Sequence, residues 1–271
     1  MIGSEERARN MNLEEIKKKY RIKGDYHTHT VYSRIGPYLH GKGQIIENAA
    51  SAVSKGLKEL GITDHGPWDF YGLDLRRIPQ MRKDIDEAMK RYPQLNITLG
   101  VEADIVDSPN GLDVSPEEFE LFDYVNAGYH YVPGCHMIQN WLAFRLPCPG
   151  PVKEKLRKQN TDRIIKALKS NNIRILTHPG DKAYIDAHAV AKACEETGTL
   201  VEVNVRHRHP DVEELKVFAG YDVSFIISSD AHSPDKVGRY TKSLQHAMNA
   251  GITPDRIVNI ESREEAERAE E

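Results

Sequence analysis

The chain has 271 residues, of which 39% are apolar and 29% charged, with a formal net charge of −4 at pH 7. This size and composition predict a single soluble domain, and no apolar run approaches the roughly 18 residues of a membrane span. The charged stretch Met1–Tyr20 lacks the apolar core of a signal peptide, so we expect a cytoplasmic protein with no membrane partner. The mildly acidic balance argues against a large nucleic-acid surface.

Cysteine usage excludes two further classes of site. Cys135, Cys148 and Cys194 are odd in number and widely spaced, and no CxxC pair occurs. This pattern indicates neither a disulfide framework nor a thiolate zinc site.

Apolar segments rich in Val, Ile and Leu recur along the chain, and a segment of helical period follows most of them. This alternation predicts βα units around a parallel sheet, and closure into an α/β barrel is the natural solution. The seven predicted strands are Ile22–His27, Leu57–Thr63, Ile97–Glu102, Tyr124–Gly128, Ile173–Thr177, Leu200–Val205 and Ser224–Ser228. The predicted helices are Gly43–Lys55, Asp74–Tyr92, Lys153–Ser170, Ala183–Thr197, Val212–Ala219, Ser243–Ala250 and Ser262–Ala269.

Prolines and glycines mark the boundaries of these elements. Pro116 follows the candidate N-cap Ser115 of a short helix, and Gly198 is a candidate helix stop. The proline-rich stretch Pro133–Pro151 is predicted to be a long loop at the mouth of the barrel. We divide the chain into a charged extension, residues 1–20, and a barrel domain, residues 21–271.

Twelve histidines is a high number for this length, and many lie where a predicted strand ends. The carboxyl ends of parallel strands form one face of a barrel, so we expect these side chains to meet in one pocket. A mixture of imidazoles and carboxylates there suits divalent metals. The candidates are His27, His29, His65, Glu102, His130, His178, Asp230 and His232.

Taken alone, each of these motifs is weak. His207-Arg208-His209 repeats the HxH spacing of His27 and His29, so the spacing by itself has a serious false-positive risk. In extended backbone, however, residues two apart point to the same side, and both imidazoles of His27 and His29 can reach one ion. We expect His207 and His209 to lie at the pocket rim or, because Pro210 follows, in an exposed turn.

Together the motifs resemble the PHP superfamily, the polymerase and histidinol phosphatase group, over residues 24 to about 238. The resemblance implies a distorted seven-stranded (β/α)7 TIM-like barrel, two or three divalent ions, commonly zinc, iron or manganese, and hydrolysis of phosphate esters. The motifs that carry it are Asp25–His29, His40–Gly43, Ile62–Gly66, Gly100–Glu102, Ala127–His130, Thr177–Gly180 and Ser229–His232.

The resemblance also implies how the ligands are shared. One ion is expected at His27, His29, Glu102 and Asp230, and Glu102 bridges to a second ion at His130 and His178. The third ion is expected at His40, His65 and His232. The spacer Arg34–Leu39 before His40 is longer than in similar proteins, and without His40 a two-metal site remains.

Such ions can acidify water to a hydroxide near neutral pH and clamp the phosphoryl oxygens. We therefore expect catalytic roles for Glu102, Asp230 and His232. Arg206, Arg239 and Lys42 are candidates for binding the substrate phosphate. Asp64 either orients an imidazole or caps a turn, and the two alternatives stay open.

The preferred hypothesis is a metal-dependent phosphoesterase that acts on a small phosphorylated molecule of the histidinol phosphate type. A phosphodiesterase or 3′–5′ nuclease is the rival, and a basic, aromatic-lined groove would distinguish it. A metal-assisted amidohydrolase and a noncatalytic metal-binding scaffold are further alternatives. The sequence makes no prediction of the oligomeric state.

Overall fold

Seven parallel strands form the centre of the computed structural model, which describes residues 11–133, 137–204 and 206–270. In sheet order they are β10 (Phe225–Ile227), β9 (Leu200–Val203), β8 (Ile175–Leu176), β7 (Tyr124–Gly128), β6 (Asn96–Asp104), β5 (Glu59–Ile62) and β2 (Gly24–Asp25). The parallel pairing and the surrounding helices make a single-domain, nearly closed α/β barrel, as predicted.

The barrel closes incompletely between β2 and β10. Beyond the carboxyl ends of these two strands, Thr28 pairs with Ala231 in a parallel bridge. Below, the Asn259 amide donates to the carbonyl oxygens of Gly24 at 2.8 Å and Ile227 at 2.7 Å, and its oxygen accepts from the Ile227 N–H at 3.1 Å. A side chain therefore supplies the hydrogen bonds that a direct strand pair would make.

Helices cover the outer face of the barrel. The seven predicted helices are confirmed with boundaries shifted by a few residues, and Leu13–Lys19 and Met137–Arg145 are helices that were not predicted. The helices are α1 (Leu13–Lys19), α2 (Ile45–Ser54), α3 (Ile78–Arg91), α4 (Met137–Arg145), α5 (Gly150–Ser170), α6 (Ala187–Thr197), α7 (Val212–Ala219), α8 (Thr241–Asn249) and α9 (Arg263–Glu270).

Helix ends follow the expected local chemistry. Gly198 ends α6 in the left-handed region with φ 71°, which confirms the predicted stop. Near Ser115 the structure has a short 3₁₀ helix, Glu118–Leu121, and the Ser115 hydroxyl accepts from the Glu118 N–H at 3.3 Å. No described helix combines the length and apolarity that crossing a bilayer requires.

The prediction of a loop over Pro133–Pro151 is wrong for most of the described part of that stretch. Met137–Arg145 forms α4, and α5 begins at Gly150 with Pro151 in its first turn. The helix α4 contains neither Gly nor Pro, and a proline in the first turn of a helix costs no backbone hydrogen bond. Residues 134–136 lie outside the described part of the chain.

Two short antiparallel pairs were not predicted. β1 (Tyr20–Ile22) pairs with β11 (Ile260–Ser262), so Ile22 lies outside the barrel strand to which it was assigned. β3 (Arg34–Ile35) and β4 (Tyr38–Leu39) form a hairpin within the long spacer before His40.

The barrel interior is filled beneath the strand ends. Tyr26, Ile175 and Ile226 form a buried cluster. Tyr26 follows β2, and the other two lie in β8 and β10, which are not neighbours in the sheet, so the cluster lies inside the barrel. The Arg174 guanidinium lies 4.4 Å from the centre of the Tyr26 ring. The packed interior leaves the carboxyl ends of the strands as the place for a site.

Candidate metal centre

Eight of the nine predicted ligands are buried together at the carboxyl ends of the strands. His27 and His29 follow β2, His65 follows β5, and Glu102 lies in β6. The others follow β7, β8 and β10 in the same way, and they are His130, His178, Asp230 and His232. Groups of these side chains have ligand atoms within 4.8 Å of one another, close enough to share an ion.

The two carboxylate oxygens of Glu102 face different groups of imidazoles. Oε1 lies 2.9 Å from His178 Nε2 and 3.5 Å from His130 Nε2. Oε2 lies 3.1 Å from His27 Nε2 and 3.2 Å from His65 Nδ1. This division of oxygens is what a carboxylate that bridges two ions requires.

The two oxygens of Asp230 also face different groups. Its Oδ1 lies 3.0 Å from His29 Nε2 and 3.7 Å from His27 Nε2. Its Oδ2 contacts Arg206 Nη1 and lies 2.6 Å from His207 Nε2. One oxygen is thus directed to the histidine cluster and the other to the rim.

The hairpin β3–β4 returns the chain so that His40 still reaches the cluster. The His40 N–H donates to the Ser33 carbonyl oxygen at 2.9 Å, which closes the spacer into a compact loop. The centre of the His40 ring lies 4.4 Å from that of His232 and 5.3 Å from that of His65. His40 is half-buried and stacks on Tyr71, so it lies at the mouth rather than the floor of the site.

Two carboxylates outside the predicted set support the imidazoles from behind. Glu202 Oε1 lies 2.7 Å from His27 Nδ1, and its Oε2 accepts from the backbone N–H of His178 at 2.9 Å. Asp104 Oδ1 lies 2.6 Å from His130 Nδ1. Such contacts fix the tautomer and direction of an imidazole whose other nitrogen faces a metal.

The backbone is also adapted to the site. His178 and Asp230 have φ values of 29° and 47°, in the left-handed region that residues other than glycine rarely adopt. A Cβ atom on Gly128 would lie 2.4 Å from Thr177 Oγ1 and 3.0 Å from Glu102 Oε1. Strain at two candidate ligands and a required glycine beside a third are typical of a functional site.

Electrostatics place most of these groups in the protonation states that bind metal. Burial lowers the pKa of His29 and His130 well below the usual value. Burial alone would raise the pKa of Glu102, but His27 and His130 hold it well below its usual range. Burial also opposes charge on His27, yet Glu102, Glu202 and Asp230 outweigh it and raise the pKa of His27 well above its usual value. The carboxylates therefore attract positive charge to the point where a cation would bind.

Unsatisfied polar atoms provide a direct test of whether the residues suit metal ions. Several buried ligand atoms make no hydrogen bond of good geometry, although other polar atoms of the cluster lie within 4 Å of them. They include His65 Nδ1, Glu102 Oε2, Asp230 Oδ1 and His232 Nε2. Buried polar atoms are nearly always paired, and divalent cations would satisfy this set.

Of the predicted substrate-binding residues, Arg206 and Lys42 contact candidate ligands, whereas Arg239 makes no hydrogen bond or ion pair with any of the nine among the described residues. Arg206 contacts Asp230, and Arg239 forms an exposed ion pair with Asp235 at 2.8 Å. Lys42 is exposed, and its backbone N–H donates to the His232 carbonyl oxygen. Among the described residues, Asp64 makes no hydrogen bond with an imidazole. It accepts from the backbone N–H and hydroxyl groups of Thr30 and Ser33 and shapes that turn.

His207 lies closer to the cluster than the sequence indicated. It is half-buried between Asp230 and Asp181, with Nδ1 3.0 Å from Asp181 Oδ2. Pro210 favoured an exposed turn for this segment, and no sequence signal separated His207 from His209. The sequence does contain a signal for Glu202, because a charged residue inside the apolar strand Leu200–Val203 needs a buried partner.

Comparisons with known proteins agree with this geometry. The PHP domain family model matches residues 25–244. A "Probable phosphatase" of Thermoanaerobacter sp. (strain X514) is 31% identical over 254 residues, covering 88% of this chain and 90% of that protein. A "Probable phosphatase" of Acetivibrio thermocellus is 28% identical over 249 residues, covering 87% and 90%.

A solved structure shares the fold. The crystal structure of histidinol phosphate phosphatase from Lactococcus lactis, complexed with zinc, L-histidinol and phosphate, aligns with a TM-score of 0.58. The alignment covers 85% of this chain and 94% of that one at 17% identity. Because the family model matches most of its length and its curated relatives are probable phosphatases, this chain belongs to the PHP domain family and is a metal-dependent phosphoric ester hydrolase.

Proposed function

We propose that the protein is a phosphatase that hydrolyses a phosphate monoester of a small molecule, of the histidinol phosphate type. The observation that carries the proposal is Glu102, whose two oxygens face separate groups of buried imidazoles. In this proposal two or three divalent ions, of zinc, iron or manganese, bind the nine candidate ligands. When bound, they supply an acidified water nucleophile and neutralise the phosphoryl oxygens.

The residues of the chain have distinct parts in this proposal. Glu102 sets the separation of the two main ligand groups, and Asp230 holds its Oδ1 among His27, His29 and His232. His232 and His40 border the open side, where a leaving alcohol would depart. Arg206, at the rim beside Asp230, is placed to donate two N–H groups to a phosphate.

Two observations support a monoester of a small molecule over a nucleic-acid substrate. The curated relatives that span the chain are named as phosphatases. The net charge of −4 also disfavours an extended polyanion. A phosphodiesterase remains the rival that the experiment distinguishes.

The test is turnover of p-nitrophenyl phosphate, bis-p-nitrophenyl phosphate and histidinol phosphate, before and after chelation and after return of each metal. We expect the monoesters to be hydrolysed faster than the diester and all activity to need metal. Faster turnover of the diester would favour the phosphodiesterase. Metal-replete protein that hydrolyses none of the three would contradict the proposal.

A further inference from the structure

A basic cleft of about 880 Å³ opens beside the candidate metal centre. Arg206 lines it and also contacts Asp230, so the cleft begins one side chain from the cluster. Its walls come from the residues after β9 and β10, the end of α2, α1 and the start of α8. A substrate bound at the cluster would therefore lie beside this cleft.

The cleft has a strong excess of positive charge. The described residues that line it include eight lysines and arginines and one acidic residue, Glu14. Some of the cations are paired, such as Arg21 with Glu261 and Arg239 with Asp235. Within the described part of the chain, the side chains of Lys17 and Lys242 take part in no ion pair, and Lys236 acts on the Asp235 carboxylate, which Arg239 already pairs, without forming an ion pair of its own. Cations gathered in a concave surface raise the local concentration of anions.

The start of α8 adds backbone donors to the same cleft. Thr241, Lys242 and Ser243 line it, and the N-cap residue Tyr240 provides no side-chain cap. The first N–H groups of a helix lack partners within the helix and carry a partial positive charge. In this nine-residue helix they are free to bind an anion.

Two buried side chains in the wall each have a polar atom without a partner among the described residues. Asn204 and Ser228 are 3% and 0% exposed, and Asn204 Nδ2 and Ser228 Oγ have no hydrogen-bond partner among the described residues. The Asn204 oxygen accepts from the Arg206 N–H at 2.8 Å, which leaves its NH₂ group as the unsatisfied end. Buried donors without partners next to a basic cleft indicate a polar ligand.

We propose that this cleft binds a second anionic group of the substrate, similar to phosphate in size and charge, while the scissile phosphate lies at the Glu102 cluster. The substrate is then a small molecule with two anionic ends. This inference rests on the proposed function. A single-stranded nucleic acid suits the cleft less well, because Tyr240 is the one aromatic side chain among its described lining residues and base stacking needs several.

The experiment compares α,ω-alkanediol bisphosphates with alkyl monophosphates of the same chain length, by phosphate release. We expect kcat/KM to favour the best bisphosphate by about tenfold or more, the effect of one charge-assisted hydrogen bond. Lys242→Ala combined with Lys236→Ala should bring this ratio close to one, and Lys242→Arg should retain it. Lys192→Ala, on α6 away from the cleft lining, is the matched surface control.

The outcomes separate this inference from the proposed function. Absence of turnover of every monophosphate and every bisphosphate would contradict the proposed function itself. Turnover without a bisphosphate preference, or a preference that survives the double variant, would overturn the cleft assignment alone. Activation of monophosphate turnover by free sulfate without a bisphosphate preference would identify a free-anion site instead. Better hydrolysis of a 5′-phosphorylated oligonucleotide than of any bisphosphate would also overturn it.

Discussion

At the scale of single residues, the site depends on groups that do not bind metal. Glu202 is fully buried, and its two oxygens contact a side chain after β2 and a backbone group after β8. A buried carboxylate with this many partners is costly unless each contact is satisfied. It therefore holds His27 and His178 in one relative position.

Glu202→Gln is expected to lower metal affinity and turnover by about 10–100-fold, because the amide cannot accept from both groups as the carboxylate does. Metal titration and p-nitrophenyl phosphate kinetics measure this. The control is Glu213→Gln, which removes an exposed pair with Lys216 on α7. Equal metal affinity in Glu202→Gln and the wild type would show that Glu202 has no positioning role.

Gly128→Ala is expected to disturb the metal centre from the side of β7. The new Cβ would lie 2.4 Å from Thr177 Oγ1 and 3.0 Å from Glu102 Oε1, so one of them must move. Overpacking of this kind costs about 1–3 kcal/mol. Urea unfolding and turnover test this against Gly150→Ala, whose Cβ would meet nothing within 4 Å. Two variants that behave alike would contradict the close packing.

The sequence predicted the nine candidate ligands because their positions follow from strand ends and motif order. It did not predict the contacts of His207, because whether the turn before Pro210 faces inward depends on packing between loops. His40 was predicted only in part. The long spacer before it indicated a difference from similar proteins, and the hairpin Arg34–Leu39 explains how the His40 ring still lies beside that of His232.

At the scale of elements, the join between β2 and β10 is the unusual feature. β2 has two residues in the sheet, and the chain before it turns away to pair with β11. Apolar periodicity indicated a strand over Ile22–His27 but not which partner each residue takes, since Ile22 is buried in either arrangement. The prolines of Pro133–Pro151 indicated a loop, but they flank α4 and do not interrupt it.

Asn259→Ala is expected to destabilise the barrel at this join. It leaves the Ile227 N–H and the carbonyl oxygens of Gly24 and Ile227 without the amide partner. Each unsatisfied buried group costs about 1–3 kcal/mol. Urea unfolding should therefore show a loss of about 3 kcal/mol or more. The control is Asn96→Ala at the exposed start of β6, and an equal effect at both positions would contradict the role of Asn259.

At the scale of the whole molecule, the metals are expected to contribute to stability. The cluster joins residues that follow five strands, and without cations its carboxylates and imidazoles are buried with unsatisfied atoms. Removing metal should lower Tm by on the order of 5–10 °C, and returning metal should restore it. Calorimetry before and after chelation measures this, and an unchanged Tm after complete metal removal would argue against a bound cluster.

The central proposal is that the two oxygens of Glu102 would each help to hold a separate ion, and the metal content of the Glu102→Gln variant tests it most directly. Elemental analysis of wild-type protein should give two or three ions per chain. In Glu102→Gln an amide nitrogen replaces one oxygen, so at least one ion should be lost. Turnover should fall by more than the roughly 100-fold upper limit expected for Glu202→Gln. Wild-type metal content and turnover in Glu102→Gln would contradict the bridge.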